Sequence, residues 1–183
     1  LAGERGDVVV AFADTPLIDA ATIAKLRQPL ARGAAVAVLG FEARDPTGYG
    51  RLVVEDGRLL AIREDKDASP AEKALRFVNA GLMALSGEVA LDLLDRIGDR
   101  NAKGEFYLTD AVEIAASLGL AAEAVPASEE EVQGVNDRAQ LADAERVLQE
   151  RLRRRAMRDG ATLVAPETVF LSFDTKIGRD VLI

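Results

Sequence analysis

Val8-Val9-Val10-Ala11-Phe12-Ala13-Asp14-Thr15-Pro16-Leu17-Ile18 is the stretch whose reading decides the fold. Its opening residues, Val, Ala and Phe without a charge, predict a strand buried on both faces, with Asp14 standing where that strand must end. Open α/β sheets gather ligands at the carboxyl ends of their parallel strands. A carboxylate there, followed by a proline that fixes the exit of the chain, is a candidate metal or ligand contact. The alternative is that Asp14 only caps the turn or the next helix.

Outward from this stretch, Asp19 to Arg32 reads as a helix with Ile23, Leu26 and Leu30 on one face, and Gly33 ends it. Ala34 to Phe41 supplies a second apolar strand. Strand, helix, strand is the unit of a parallel sheet with a right-handed crossover. Arg51 to Ile62 holds two short strands joined at Asp56-Gly57, a hairpin signal that inserts an antiparallel element into the α/β pattern. Arg76 to Leu85 predicts another strand, Ser86 to Ile97 a helix with a Ser N-cap, Tyr107 to Leu118 a further helix, and Ala121 to Pro126 a strand. From Asp137 to Arg158, Leu141, Ala144, Val147, Leu148 and Leu152 keep helical spacing, a length that suits a connecting helix. After it, Leu171, Ile177 and Ile183 stand six apart, and Ile177-Gly178 has the form of a hexapeptide repeat, the period of a left-handed parallel β-helix.

Composition narrows the chemistry. The 183 residues are 49% hydrophobic and 30% charged, a globular balance with room for one full domain and a smaller piece. A net charge of −8 argues against a general nucleic-acid binder. There is no cysteine and no histidine. Disulfides, zinc-thiolate sites, imidazole ligands and Ser-His triads are thereby excluded, and any chemistry falls to carboxylates, Lys, Arg, amides, hydroxyls, backbone groups or a hard metal ion. No apolar run is long enough to span a bilayer and no signal-peptide pattern is present, so a cytoplasmic protein is the expectation. The chain lacks an initiator Met, which reads as an excerpt of a longer protein.

Several short segments carry polar groups that either shape turns or meet a ligand. Asp45-Pro46-Thr47-Gly48-Tyr49-Gly50-Arg51 is dense in glycine, which lets a ligand approach the main chain or simply feeds the hairpin. In Arg63-Glu64-Asp65-Lys66-Asp67-Ala68 a carboxylate suits sugar hydroxyls and Lys66 suits a phosphate, against a solvated loop. Val78-Asn79-Ala80-Gly81 sets an amide inside an apolar strand, where a ligand or a backbone bridge must satisfy it. Asn136, in Gly134-Val135-Asn136-Asp137, is a candidate N-cap of the long helix. Arg151, Arg153, Arg154, Arg155 and Arg158 read as a solvated face that pairs with nearby acids.

Taken in order, these segments resemble a known family. Phe12-Ala13-Asp14-Thr15-Pro16-Leu17, Asp45 to Arg51, Glu64 to Ala68, Val78 to Gly81, Gly104-Glu105-Phe106-Tyr107-Leu108-Thr109-Asp110 and Gly134-Val135-Asn136-Asp137-Arg138 are similar, in sequence and spacing, to successive motifs of the bacterial GlmU family. Its members join an N-acetylglucosamine-1-phosphate uridylyltransferase to a glucosamine-1-phosphate acetyltransferase. The resemblance implies a Rossmann-like α/β nucleotidyltransferase domain, incomplete at its N-terminus, then a long connecting helix and the start of a left-handed parallel β-helix. Residues 1–136 would be the C-terminal part of the uridylyltransferase domain, 137–160 the linker helix and 161–183 the first rungs of the acetyltransferase domain.

By the same resemblance, Asp14 would act in catalysis and hold Mg²⁺ together with Asn136. Phe12 and Ala13 would lie along the sugar nucleotide, and Gly50, Glu64 and Asn79 would contact the N-acetylglucosamine unit. Tyr107 and Thr109 would stand on the sugar-phosphate side. Ala13 replaces the Gly of many relatives. The implied reaction takes UTP and N-acetylglucosamine 1-phosphate to UDP-N-acetylglucosamine; acetyl-CoA, glucosamine 1-phosphate and a homotrimer formed through the β-helix belong to the parent protein. No nucleic-acid or membrane partner is implied. The Gly-rich UTP-phosphate loop would lie before Leu1 and the acetyltransferase site after Ile183, so the piece alone is expected to make no UDP-sugar. The alternatives are another sugar-1-phosphate nucleotidyltransferase and a non-catalytic pyrophosphorylase-like regulatory subunit.

Overall fold

The computed structural model describes residues 6–183. They divide into two compact units, one containing residues up to Ala13 together with Ile18–Val132, the other Asp14–Leu17 together with Gln133–Ile183.

The first unit is built on one mixed six-stranded sheet of β1 (Val8–Val10), β2 (Val36–Glu42), β3 (Arg51–Glu55), β4 (Arg58–Arg63), β5 (Phe77–Leu85) and β6 (Ala122–Pro126). The order is β4-β3-β5-β2-β6, with β1 also paired to β5. Both β1 and β2 run antiparallel to β5, and β2 with β6 makes a parallel pair. The expected strand-helix-strand unit is present, since β1 and β2 point the same way with α1 (Ala20–Ala31) between them in sequence. The two strands are not neighbours: β5 lies between them. An insertion of this kind rests on pairing between distant residues, which local pattern does not carry.

The opening strand is also shorter and less buried than expected. It stops at Val10, and Val9 is exposed, so the apolar run predicts a central strand where the structure has a three-residue strand against β5. In β2 every residue but Glu42 is buried. Its Val36 and Val38 face one way, with Met83 and Leu85 of β5, onto α3 (Ala90–Leu94) and α4 (Asp110–Ser117). Ala37, Leu39 and Phe41 face the other way, with Leu82 and Ala84, onto Leu26 and Leu30 of α1. This two-faced burial is what period-2 alternation gives in a sheet covered by helices on both sides. Ile23, expected on the buried face of α1, is exposed.

Local chemistry sets the element ends. Asp19 caps α1, its Oδ1 accepting from Thr22 N–H at 2.8 Å. At the β3/β4 turn Asp56 and Gly57 both have positive φ, 48° and 77°, as a two-residue hairpin turn requires. The four-residue helix α2 (Pro70–Lys73) carries a capping box between Ser69 and Glu72. The Glu72 carboxyl is held below its usual range by hydrogen bonds from Ser69. The helix expected over Ser86 to Ile97 is only the five residues of α3; Glu88 N–H turns back to Ser86 Oγ, and the chain after Leu94 continues in tighter turns.

The second unit centres on α5 (Arg138–Arg158), 21 residues long. Ala144, Val147 and Leu152 are buried, and Leu17 packs on Ala144 and Val147, while Leu141 is exposed. Asp137, not Asn136, is the N-cap: its Oδ1 accepts Gln140 N–H at 2.8 Å. The arginines of α5 are not all a solvated face. Arg151 donates to Leu17 O, and Arg153 donates to Val169 O while lying over the Phe170 ring, 5.3 Å from its centroid. Arg154 pairs with Glu150. Beyond a 3₁₀ turn at Pro166–Thr168, Thr162 and Leu182 form an isolated parallel bridge.

Candidate active site

The hairpin brings two of the expected site residues together by register alone. Arg51 stands opposite Arg63 across β3 and β4, so Gly50 and Glu64, one residue outside that pair on either strand, flank the same end of the hairpin. A Cβ on Gly50 would stand 2.9 Å from Ile62 Cγ2 and 3.5 and 3.6 Å from the two Glu64 carboxylate oxygens. Position 50 therefore has no room for a side chain, and the carboxylate lies against bare backbone. The Gly50 carbonyl accepts Asn79 N–H at 2.7 Å, which ties β5 to the same place. Thr109 completes the group, its hydroxyl donating to Glu64 Oε1 at 3.0 Å.

Asn79 answers the question its position poses. Its Oδ1 accepts Gly81 N–H at 3.0 Å, a backbone bridge that satisfies the acceptor half of the amide. Gly81 has φ of +82°, and a Cβ there would lie 2.5 Å from Phe12 Cδ2. Phe12, 58% exposed, thus sets its ring against the β5 backbone two residues beyond Asn79. Ala13 is exposed.

Asp14 and Asn136 lie in the other unit, where a main-chain hydrogen bond joins their segments. Val135 N–H donates to Asp14 O at 2.8 Å. Asp14 caps neither helix, since Asp19 and Asp137 hold those positions. The Asn136 N–H donates to Gln140 Oε1 at 2.6 Å, and Gln140 N–H caps on Asp137, so the Asn136 side chain is not used as a cap. Both side chains are exposed. Among the described residues no group of three or more Asp, Glu, His or Cys gathers as a metal cage. A carboxylate oxygen and an amide oxygen are each hard donors of the kind Mg²⁺ accepts, because that ion keeps several waters and takes substrate phosphates as ligands.

Next to Glu64 opens a cavity of about 710 Å³ lined among others by Asp67, Asn101, Tyr107, Asp110 and Glu113. Arg63 grips Glu113 through two hydrogen bonds of 2.6 and 2.8 Å and reaches Glu72 at 3.3 Å. The charge-assisted fork lowers the Glu113 carboxyl below its usual range and raises the Arg63 guanidinium. Asp110 moves the opposite way: burial, then the Glu113 charge, pushes its carboxyl up. Burial likewise raises the Tyr107 hydroxyl. Tyr107 thus lines the cavity and Thr109 touches Glu64, while Lys66 is exposed. The sequence reading missed Arg51, which is buried at 2% exposure with Nη2 3.0 Å from Asp65 Oδ1. Its one visible signal is a charged residue set directly before the apolar run Leu52-Val53-Val54.

This arrangement belongs to a recognisable class. The chain superposes with a TM-score of 0.54 at 18% identity on the CTP complex of CMP:2-keto-3-deoxy-manno-octonic acid synthetase, over 79% of this chain and 62% of that one. It matches a putative glucose-1-phosphate thymidylyltransferase from Bacillus anthracis with a TM-score of 0.52 at 17% identity, over 68% of this chain and 47% of that one. A nucleoside-diphosphate-sugar pyrophosphorylase from Vibrio cholerae gives 0.53 at 14% identity, over 75% and 55%. The fold is a mixed α/β, Rossmann-like nucleotidyltransferase fold. No family model matches the chain. Over 177 residues, 97% of its length, it is 66% identical to the bifunctional protein GlmU of Xanthobacter autotrophicus and 63% identical to that of Azorhizobium caulinodans. The corresponding protein of Agrobacterium fabrum is 60% identical. Over the stretch that it shares with them the chain belongs to the GlmU proteins, and it spans about 40% of the length of these relatives.

Proposed function

We propose that the chain is part of a bifunctional enzyme of UDP-N-acetylglucosamine synthesis and carries the sugar and metal contacts of its uridylyltransferase half. The observation that carries this reading is the joining of Gly50, Glu64 and Asn79, residues distant in sequence, by hairpin register and the 2.7 Å hydrogen bond from Asn79 to Gly50. Bare backbone beside a carboxylate and an amide is what a hexose with several hydroxyls and an acetamido group requires.

In the proposed reaction a phosphate oxygen of N-acetylglucosamine 1-phosphate attacks the α-phosphorus of UTP. The new P–O bond forms as the α–β bridge breaks, and pyrophosphate leaves. An anionic nucleophile needs no general base, which fits a chain without histidine. Glu64 accepts a sugar hydroxyl, with Thr109 holding the carboxylate, and Asn79 orients the acetamido side. Asp14 and Asn136 would hold Mg²⁺, which supplies neutralisation of the phosphate charge. Acetylation of glucosamine 1-phosphate by acetyl-CoA and the homotrimer belong to the rest of the proposed parent protein, and residues 161–183 would be the first rungs of its β-helix. The six-residue spacing of Leu171, Ile177 and Ile183 and the parallel bridge from Thr162 to Leu182 support that last reading. Among the described residues no helix is long and apolar enough to cross a membrane, and a cytoplasmic setting is part of the proposal.

The test is a titration of the chain with N-acetylglucosamine 1-phosphate followed by amide NMR. Shifts concentrated at Gly50, Glu64 and Asn79, weakened by Glu64→Gln, are expected. Shifts centred elsewhere, or an unchanged affinity in Glu64→Gln, would overturn the assignment.

A further inference from the structure

Arg51 is a buried cation, a costly residue for a fold to keep. It is the one charged side chain among the buried described residues, and its Nε is buried without a hydrogen-bond partner. Taking a guanidinium out of water costs several kcal/mol, and an apolar residue of similar volume is often as good or better for the fold. A buried cation left incompletely satisfied calls for another explanation.

Its two partners supply one. Nη1 donates to Tyr49 O and Nη2 reaches Asp65 Oδ1 at 3.0 Å. Tyr49 immediately precedes Gly50, and Asp65 immediately follows Glu64. One rigid fork thereby spans the two loops that present the bare backbone and the carboxylate, and Asn79 is joined to the same point through the Gly50 carbonyl. We propose that Arg51 is a positioning residue that holds Gly50 and Glu64 at the spacing a pyranose ligand requires, acting through Tyr49 and Asp65 and touching no substrate itself. The proposal rests on the sugar-site reading given above. Binding groups must be held to within about half an ångström to be effective, and a planar guanidinium with fixed donors does this where a flexible ammonium does not.

Two variants test it in the 183-residue chain. Arg51→Lys keeps the charge and loses the fork; Asp65→Asn keeps Arg51 and loses the charged acceptor. Both are expected to weaken binding of N-acetylglucosamine 1-phosphate about tenfold, the size of one lost charge-assisted hydrogen bond. Combining them should cost no more than Arg51→Lys alone, because both act on one link. Amide exchange should accelerate at residues 48–51 and 64–67 while β2 and β5 stay protected. Unchanged sugar affinity with faster loop exchange would make Arg51 a pin of the hairpin and overturn the proposal. So would loss of protection throughout β2 and β5 in both variants. If the unaltered chain binds no sugar phosphate, the functional reading fails and the positioning role that rests on it falls with it; sugar binding that Arg51→Lys leaves unchanged overturns the positioning role alone.

Discussion

Gly81→Ala offers a measurement in which two physical costs can be separated. Position 81 has φ of +82°, where an L side chain crowds the following carbonyl at about 1–2 kcal/mol. The added methyl would also lie 2.5 and 2.7 Å from two atoms of the Phe12 ring. That ring is more than half exposed, so it swings away instead of deforming β5, at about 0.5–1.5 kcal/mol for leaving its rotamer. The sum is about 1.5–3.5 kcal/mol, or roughly 3–14 °C in Tm for a chain of this size. Gly57→Ala is the control, because its φ is +77° with nothing within 4 Å of the new Cβ. It carries the backbone cost alone. The Phe12 share is then read by adding Phe12→Ala to both backgrounds: its effect should be about 1 kcal/mol more favourable with Gly81→Ala than with Gly57→Ala. The assay is urea denaturation followed by circular dichroism. Equal losses in Gly81→Ala and Gly57→Ala, or an equal effect of Phe12→Ala in the two backgrounds, would refute the reasoning.

The cavity carboxylates should oppose each other in pH titrations of stability. Glu113, held down by Arg63, contributes stability that is present above its unfolded pKa, near 4.3, and is lost as pH falls through its lower folded value. Asp110, pushed up, costs stability when ionised, and that cost is relieved as pH falls through its raised folded value. Glu113→Gln should flatten the acid limb of the stability curve, and Asp110→Asn should stabilise at pH 7; a destabilised Asp110→Asn protein would contradict the sign. Asp137→Ala should lower stability by about 1 kcal/mol through loss of the α5 cap, whereas Asn136→Ala should leave the thermal melt nearly unchanged. Gln149 exchanges two 2.8 Å hydrogen bonds with the main chain of Leu171, so Gln149→Leu orphans both backbone groups at about 1–3 kcal/mol each. Faster proteolysis after residue 169 is the expected readout, and an unchanged cleavage pattern would count against it.

Much of the fold is written locally. Asp56-Gly57 encodes the hairpin, Asp19 and Gly33 bracket α1, and the apolar spacing of residues 144–152 marks the buried side of α5. What escapes is pairing at a distance. Nothing in Val8-Val9-Val10 tells that β5 separates β1 from β2, nor does the apolar run reveal that Val9 stays exposed. The site divides in the same way. Asn79 stands out as an amide inside an apolar strand, whereas Gly50 and Glu64 are ordinary residues for a turn and a charged loop, and only the hairpin register and the bond from Asn79 bring the three together. Arg51 is not legible, because its burial depends on a carbonyl and a carboxylate from two loops that meet only in the folded hairpin. For Asn136 the sequence leaves cap and ligand both open, because Asp137, an equally good cap, follows it directly and takes the cap only in the folded chain.

The central claim is that Asp14 and Asn136 hold the divalent cation of uridylyl transfer. Mn²⁺, which takes the same hard oxygen donors as Mg²⁺ and broadens nearby amide signals, tests it most directly when added to the chain with UDP-N-acetylglucosamine. Broadening centred on residues 13–15 and 135–137, abolished by Asp14→Ala, is the predicted result. Broadening centred on the carboxylates of the Arg63 cavity, or a pattern unchanged by Asp14→Ala, would contradict the account.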